Sequence, residues 1–78
     1  MSGQKIKQDE IHIGQNIREI RLEKGIGQTE LVRQLQLTDV EMTRETLVKI
    51  ERGIQHIYAA QLRGIRDALE TTYDALFK

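Results

Sequence analysis

The sequence predicts an all-α fold, a bundle of about five short helices. Three observations carry that expectation. Apolar residues recur every third or fourth position, and no stretch alternates β-branched with polar residues. The chain has no proline and is rich in Leu, Ile, Glu, Arg and Gln, all compatible with helix interiors. Glycines stand directly after two of the periodic segments, at Gly25 and Gly53, where a helix commonly stops.

Each element has its own justification. Residues 1–10 are polar and read as a flexible N-terminal arm, with residues 11–78 as one domain. The first helix is expected from about Ile11–Ile13 to Lys24, on the stripe Ile13, Ile17, Ile20. A second runs from Gln28 to about Gln36 and buries Leu31 and Leu35. Thr38–Met42 reads as an exposed connection anchored by Val40 or Met42. Thr43 is placed to cap a third helix that ends near Arg52, with Leu47 and Ile50 inward. Ile54–Tyr58 reads as a loop. The fourth helix covers Ala59–Leu69 and buries Leu62, Ile65 and Leu69, although Gly64 within it costs up to about 1 kcal/mol relative to Ala. Thr71 and Asp74 suggest a capping pair for a short last helix carrying Leu76 and Phe77.

Composition limits the function. A chain of 78 residues allows one small domain and leaves little room for a buried small-molecule pocket. Without cysteine there is no disulfide and no thiolate metal or redox centre. His12 and His56 are far apart and read as surface residues, so no metal and no cofactor are expected. No apolar run approaches a membrane span and the first ten residues lack a signal peptide's apolar core, so a cytoplasmic protein without a membrane partner is expected. No nucleophile–base set is present, which argues against an enzyme: the sole serine is Ser2. Gly25-Ile26-Gly27 is no dinucleotide fingerprint, since no strand precedes it and Glu30 stands where a third glycine belongs. Tyr58 and Tyr73 read as partly buried caps.

The charge balance is zero, twelve basic against twelve acidic side chains, which disfavours a nonspecific nucleic-acid coat. The regions differ slightly. Residues 25–42 carry Arg33 against Glu30, Asp39 and Glu41, whereas residues 43–56 carry Arg44, Lys49 and Arg52 against Glu45 and Glu51. Arg21 follows Ile17 by one helical step, and Glu51 follows Leu47 by another, so both lie on inward stripes. Two opposite charges on buried faces of different helices are best satisfied by each other; solvation at helix ends is the alternative.

The ordered motifs have a familiar form. Ile13-Gly14-Gln15-Asn16-Ile17-Arg18-Glu19-Ile20-Arg21 is followed by the helix end Glu23-Lys24-Gly25 and by Gln28-Thr29-Glu30-Leu31. Then come Thr43-Arg44-Glu45-Thr46-Leu47-Val48-Lys49-Ile50-Glu51-Arg52-Gly53 and Asp74-Ala75-Leu76-Phe77. Over residues 13–77 the chain resembles the Xre/Cro-like, or lambda repressor-like, helix-turn-helix DNA-binding family. The long turn from Leu37 to Thr43 resembles a subgroup in which the second and third helices are more widely separated. Ile54-Gln55-His56-Ile57-Tyr58 departs from the family in lacking the frequent Asn-Pro and basic residues.

The resemblance implies a sequence-specific regulator of transcription, repressor-like, that binds double-stranded DNA. It implies that Arg44, Glu45 and Lys49 meet base edges. Arg and Lys donate to guanine, and Glu accepts from cytosine. A solvated face with a Glu45–Lys49 pair is the plainer reading of the same residues. Gln28 takes the family's phosphate-anchoring position, with Thr43, Thr46 and Arg52 as further phosphate contacts. A homodimer on a pseudo-palindromic operator is implied, because one small unit reads few base pairs. Leu76 and Phe77 would form its interface, closure of the monomer core being the alternative. A restriction–modification controller or a DNA-binding antitoxin fits the same pattern, and a protein-interaction module without DNA binding is the competing class.

Overall fold

The computed structural model describes Lys5, Ile6 and residues 12–78. Most of the expected N-terminal arm, and the Ile11 end of the first helix, lie outside the described residues. Five helices are described: α1 Ile13–Glu23, α2 Gln28–Leu37, α3 Arg44–Glu51, α4 Ala59–Ala68 and α5 Tyr73–Phe77. A two-residue ladder joins β1 Lys5–Ile6, antiparallel, to β2 Ile57–Tyr58. The arm expectation is thus corrected at Lys5 and Ile6, and the loop expectation at Ile57 and Tyr58. Ile57 is fully buried, so apolar burial as well as ladder bonding fixes that segment.

The core draws on every helix. Ile13 and Ile17 of α1, Leu31 and Leu35 of α2, Leu47 and Ile50 of α3, Ile65 of α4 and Leu76 of α5 are fully enclosed. Leu62 and Met42 are also buried, while Ile20 and Val40 pack on the cluster's edge. α1 packs against α3 and α5, and α2 packs against α3 and α4. Among the described residues, no helix is long and apolar enough to cross a membrane.

Helices α1 to α4 end alike. The residue beyond the cap turns left-handed, at Gly25, Asp39, Gly53 and Glu70. The next amide then reaches back to the last turn: Ile26 to Arg21, Val40 to Leu35, Ile54 to Lys49, and Thr71 to Arg66. Helix starts are more varied. Thr43 Oγ1 accepts from the Thr46 amide at 3.1 Å, Gln61 Oε1 accepts from the Tyr58 amide at 3.0 Å, and Thr72 Oγ1 accepts from the Ala75 amide at 3.1 Å. The cap of α5 is therefore Thr72, one residue later than the expected Thr71. Adjacent threonines are equivalent in composition, and only the chain's path out of Glu70 selects between them.

The long turn is an exposed path fastened from below. Met42 is buried, Val40 is half-buried, and Gln36 Nε2 donates to the Met42 carbonyl at 2.9 Å. Asn16 lies three residues after Ile13, on the inward side of α1, and is itself buried. Its Nδ2 donates to the carbonyls of Leu76 and Lys78, at 2.8 and 3.1 Å, fastening α5 to α1.

Candidate nucleic-acid interface

Helix α3 presents one face outward because its other face is fixed from behind. Leu47 and Ile50 are fully enclosed, and their spacing sets the rotation of the helix. Arg44, Glu45 and Lys49 are exposed on the remaining face, with Val48 half-buried between them. Among the described residues, none of these three charges has an ion-pair partner; Glu45 and Lys49 do not pair with each other. The outer face of α3 therefore carries charged groups uncommitted to ion pairs among the described residues.

The residues expected at phosphate fall into two kinds. Arg52 is exposed at the C-terminal cap of α3. Thr43 and Thr46 are engaged with one another: besides the capping bond, Thr43 Oγ1 donates to Thr46 Oγ1 at 3.0 Å. Gln28 is half-buried, and its Nε2 donates to Glu51 Oε1 at 3.1 Å. The start of α2 has Gly27 as its cap residue, so no side chain covers the first amides of that helix. Such an end favours an anion.

Glu51 is the hub behind this surface. Arg21 Nε donates to Glu51 Oε2 at 2.8 Å, and Arg21 Nη2 donates to Oε1 at 3.0 Å, a two-pronged pair between α1 and α3. Arg21 Nη1 also donates to the Ile26 carbonyl at 2.9 Å. Both residues are buried. Isolated charges there would be costly, and the geometry supplies each with its complement. The Gln28 bond adds α2 to the same carboxylate. Inward stripes point to Arg21 and Glu51; nothing in the local pattern of Gln28 reveals its inward bond.

The last helix divides the expected interface pair. Leu76 is fully enclosed by the chain's own core, which corrects its assignment to an interface surface. Phe77 remains partly exposed and stacks edge-on against Tyr73, with ring centroids 6.3 Å apart. Arg66 in turn lies 4.6 Å above the Tyr73 ring. His12 and His56 are both exposed, and no metal-holding group occurs among the described residues.

With this geometry in place, the comparison with solved structures is informative. The chain is similar to a restriction–modification controller protein. The match is to the high-resolution crystal structure of C.AhdI from Aeromonas hydrophila, with a TM-score of 0.70 and 27% sequence identity. It covers 86% of this chain and 94% of the controller protein. No family model matches the chain, and no curated protein matches it in sequence. The likeness to the controller protein supports the helix-turn-helix fold, in which α2, the long turn and α3 form the central unit.

Proposed function

We propose that this chain is a sequence-specific double-stranded DNA-binding regulator of transcription, acting as a homodimer on a pseudo-palindromic operator. The observation that carries this reading is the outer face of α3. Arg44, Glu45 and Lys49 stand exposed without intramolecular partners, on a helix whose orientation is fixed by Leu47, Ile50 and the Glu51 hub. A helix of this width fits the major groove, and those side chains suit base-edge recognition. Arg52, Thr46 and the open start of α2 with Gln28 are assigned to phosphate. Thr43 contributes by capping the helix and by setting the Thr46 hydroxyl. Phe77 is assigned to the dimer face together with Tyr73, and Leu76 supports it from inside the core.

The likeness to C.AhdI favours a controller role over a generic repressor role. In that reading the chain regulates a neighbouring promoter within a restriction–modification gene set. The test is selection of duplexes from a randomised pool, followed by band shifts at two salt concentrations. A shared inverted motif among the recovered duplexes, with binding that weakens as salt rises, supports the proposal. Recovery of no duplex at low salt sinks it and leaves the protein-interaction module. Placement of the recovered motif upstream of restriction–modification genes separates the controller from the antitoxin and repressor variants.

A further inference from the structure

We infer that Glu51, beyond its ion pair with Arg21, is a positioning residue for DNA contact, acting through the side-chain amide of Gln28. The inference rests on the DNA-binding reading above, and it names which buried group sets the geometry at the start of α2.

Glu51 only accepts hydrogen bonds, so the nitrogen end of the Gln28 amide is the end that faces it. Nε2 lies 3.1 Å from Glu51 Oε1. The same oxygen accepts from Arg21 Nη2 at 3.0 Å, and Oε2 accepts from Arg21 Nε at 2.8 Å. Arg21 thus locks the carboxylate, and the carboxylate locks the amide. Gln28 has one remaining Nε2 proton with no acceptor among the described residues. Every buried side-chain nitrogen and oxygen among those residues has a partner, so the unpartnered Oε1 of Gln28 meets solvent. The side chain therefore straddles the boundary, one proton committed inward and the rest of the amide at the surface. It stands on the first residue of a helix whose start no side chain caps. A phosphate there meets backbone amides and the second Nε2 proton together.

Other residues at the DNA face lack such a fixture: Arg44, Lys49 and Arg52 are long, exposed and without ion-pair partners among the described residues. A freely rotating glutamine loses rotamer entropy when it docks. One already held by Glu51 has lost it on folding, so the contact forms with less opposing entropy.

The substitution Glu51→Gln separates positioning from folding. Its single amide oxygen replaces two that served Arg21 Nε, Arg21 Nη2 and Gln28 Nε2. At the Oε2 place the oxygen leaves an NH2 facing Gln28, whose amide must turn over to accept; at the Oε1 place it is shared as a neutral acceptor between Arg21 and Gln28. In both arrangements Arg21 keeps one acceptor, and the charge-assisted hold on the Gln28 nitrogen is lost. Gln28→Met keeps length and removes both protons. The experiment is a double-mutant cycle on the dissociation constant for a duplex recovered from the randomised pool, below the melting temperature of each variant. Gln28→Met is expected to weaken binding about tenfold and Glu51→Gln about fivefold, with the double variant no weaker than Gln28→Met alone. Sequence preference should stay the same in all four proteins. Multiplicative losses in the double variant overturn the inference, because they show that Glu51 acts on stability or on α3 and not through Gln28.

Where Glu51→Gln does not fold, nitrogen-edited NMR of the unsubstituted protein decides. Of the Gln28 amide protons, assigned by their loss in Gln28→Met, the one facing Glu51 should be displaced from the shifts of an exposed glutamine, and duplex addition should move the other while this one holds. A pair of protons at exposed-glutamine positions, or loss of the displaced position on binding, overturns the inference. An unsubstituted protein that recovers no duplex overturns the DNA reading and this inference with it. Binding that Gln28→Met leaves unchanged overturns the inference alone.

Discussion

Val40 of the long turn lies on Gly64 of α4 so closely that a β-carbon at residue 64 would come within 2.9 Å of Val40 Cγ2 and 3.1 Å of Leu35 Cδ2. The glycine that weakens α4 as a helix is what lets the turn dock. Alanine at this position gains about 1 kcal/mol in helix propensity, but overpacking against a stiff branched side chain costs about 1–3 kcal/mol. Gly64→Ala is therefore expected to lower stability in urea denaturation. Adding Val40→Ala to Gly64→Ala should recover part of the loss, and a failure to do so would place the clash elsewhere.

Breaking the Arg21–Glu51 pair from one side leaves the other charge buried. The two side chains are 7% and 2% exposed, so solvent screens them little. Arg21→Ala or Glu51→Ala is expected to lower unfolding free energy by about 3–5 kcal/mol. Guanidinium would mask the electrostatic part, so urea titration is the suitable measurement. A loss near zero would show that water reaches the pair.

The left-handed position after α4 is held by Glu70, at a φ of 53°. A side chain with a β-carbon is strained there, while glycine is not. Glu70→Gly is expected to stabilise the protein by about 0.5–1 kcal/mol after the added entropy of the unfolded chain is subtracted. A rise in melting temperature checks it; a fall would mean that the Glu70 side chain makes a favourable contribution outweighing the strain.

Reading and anchoring on DNA should separate by mutation. Arg44 and Lys49 are about 7.5 Å apart along the helix axis, at a rise of about 1.5 Å per residue. That spans two or three base steps. Arg44→Ala is expected to lose about 1–3 kcal/mol on the preferred duplex and to relax preference at one base position. Arg52→Ala should instead weaken all sequences alike and reduce the salt slope by about one. Titrations against a randomised half-site pool distinguish the two, and an unchanged preference in Arg44→Ala removes α3 as the reader.

Much of the fold was legible because its causes are local. Leu47 and Ile50 rotate α3, Thr43 starts it and Gly53 ends it, all within one short segment. The features that escaped the sequence are pairings between distant residues. Asn16 on an apolar stripe signals a buried amide, but not that its partner is the Leu76 carbonyl. Gly64 signals a close approach without naming Val40, and β1 has no alternating pattern to announce its ladder with β2. The candidate site divides in the same way. The exposure of Arg44, Glu45 and Lys49 follows from helix phase, whereas the bond from Gln28 to Glu51 depends on how two helices cross.

The Asn16 contact also has a consequence for the order of events during synthesis. Helix α5 is five residues long, too short to hold itself together, and its last carbonyls lack intrahelical partners. Asn16 supplies that missing partner from the opposite end of the domain, and in return obtains the acceptors its buried amide requires. Until Leu76 has left the ribosome, the Asn16 amide has only water to bond to, so α1 cannot bury it without cost, and the core lacks its last wall. A nascent chain stalled before α5 should therefore remain open to protease, and closure should come as one late step.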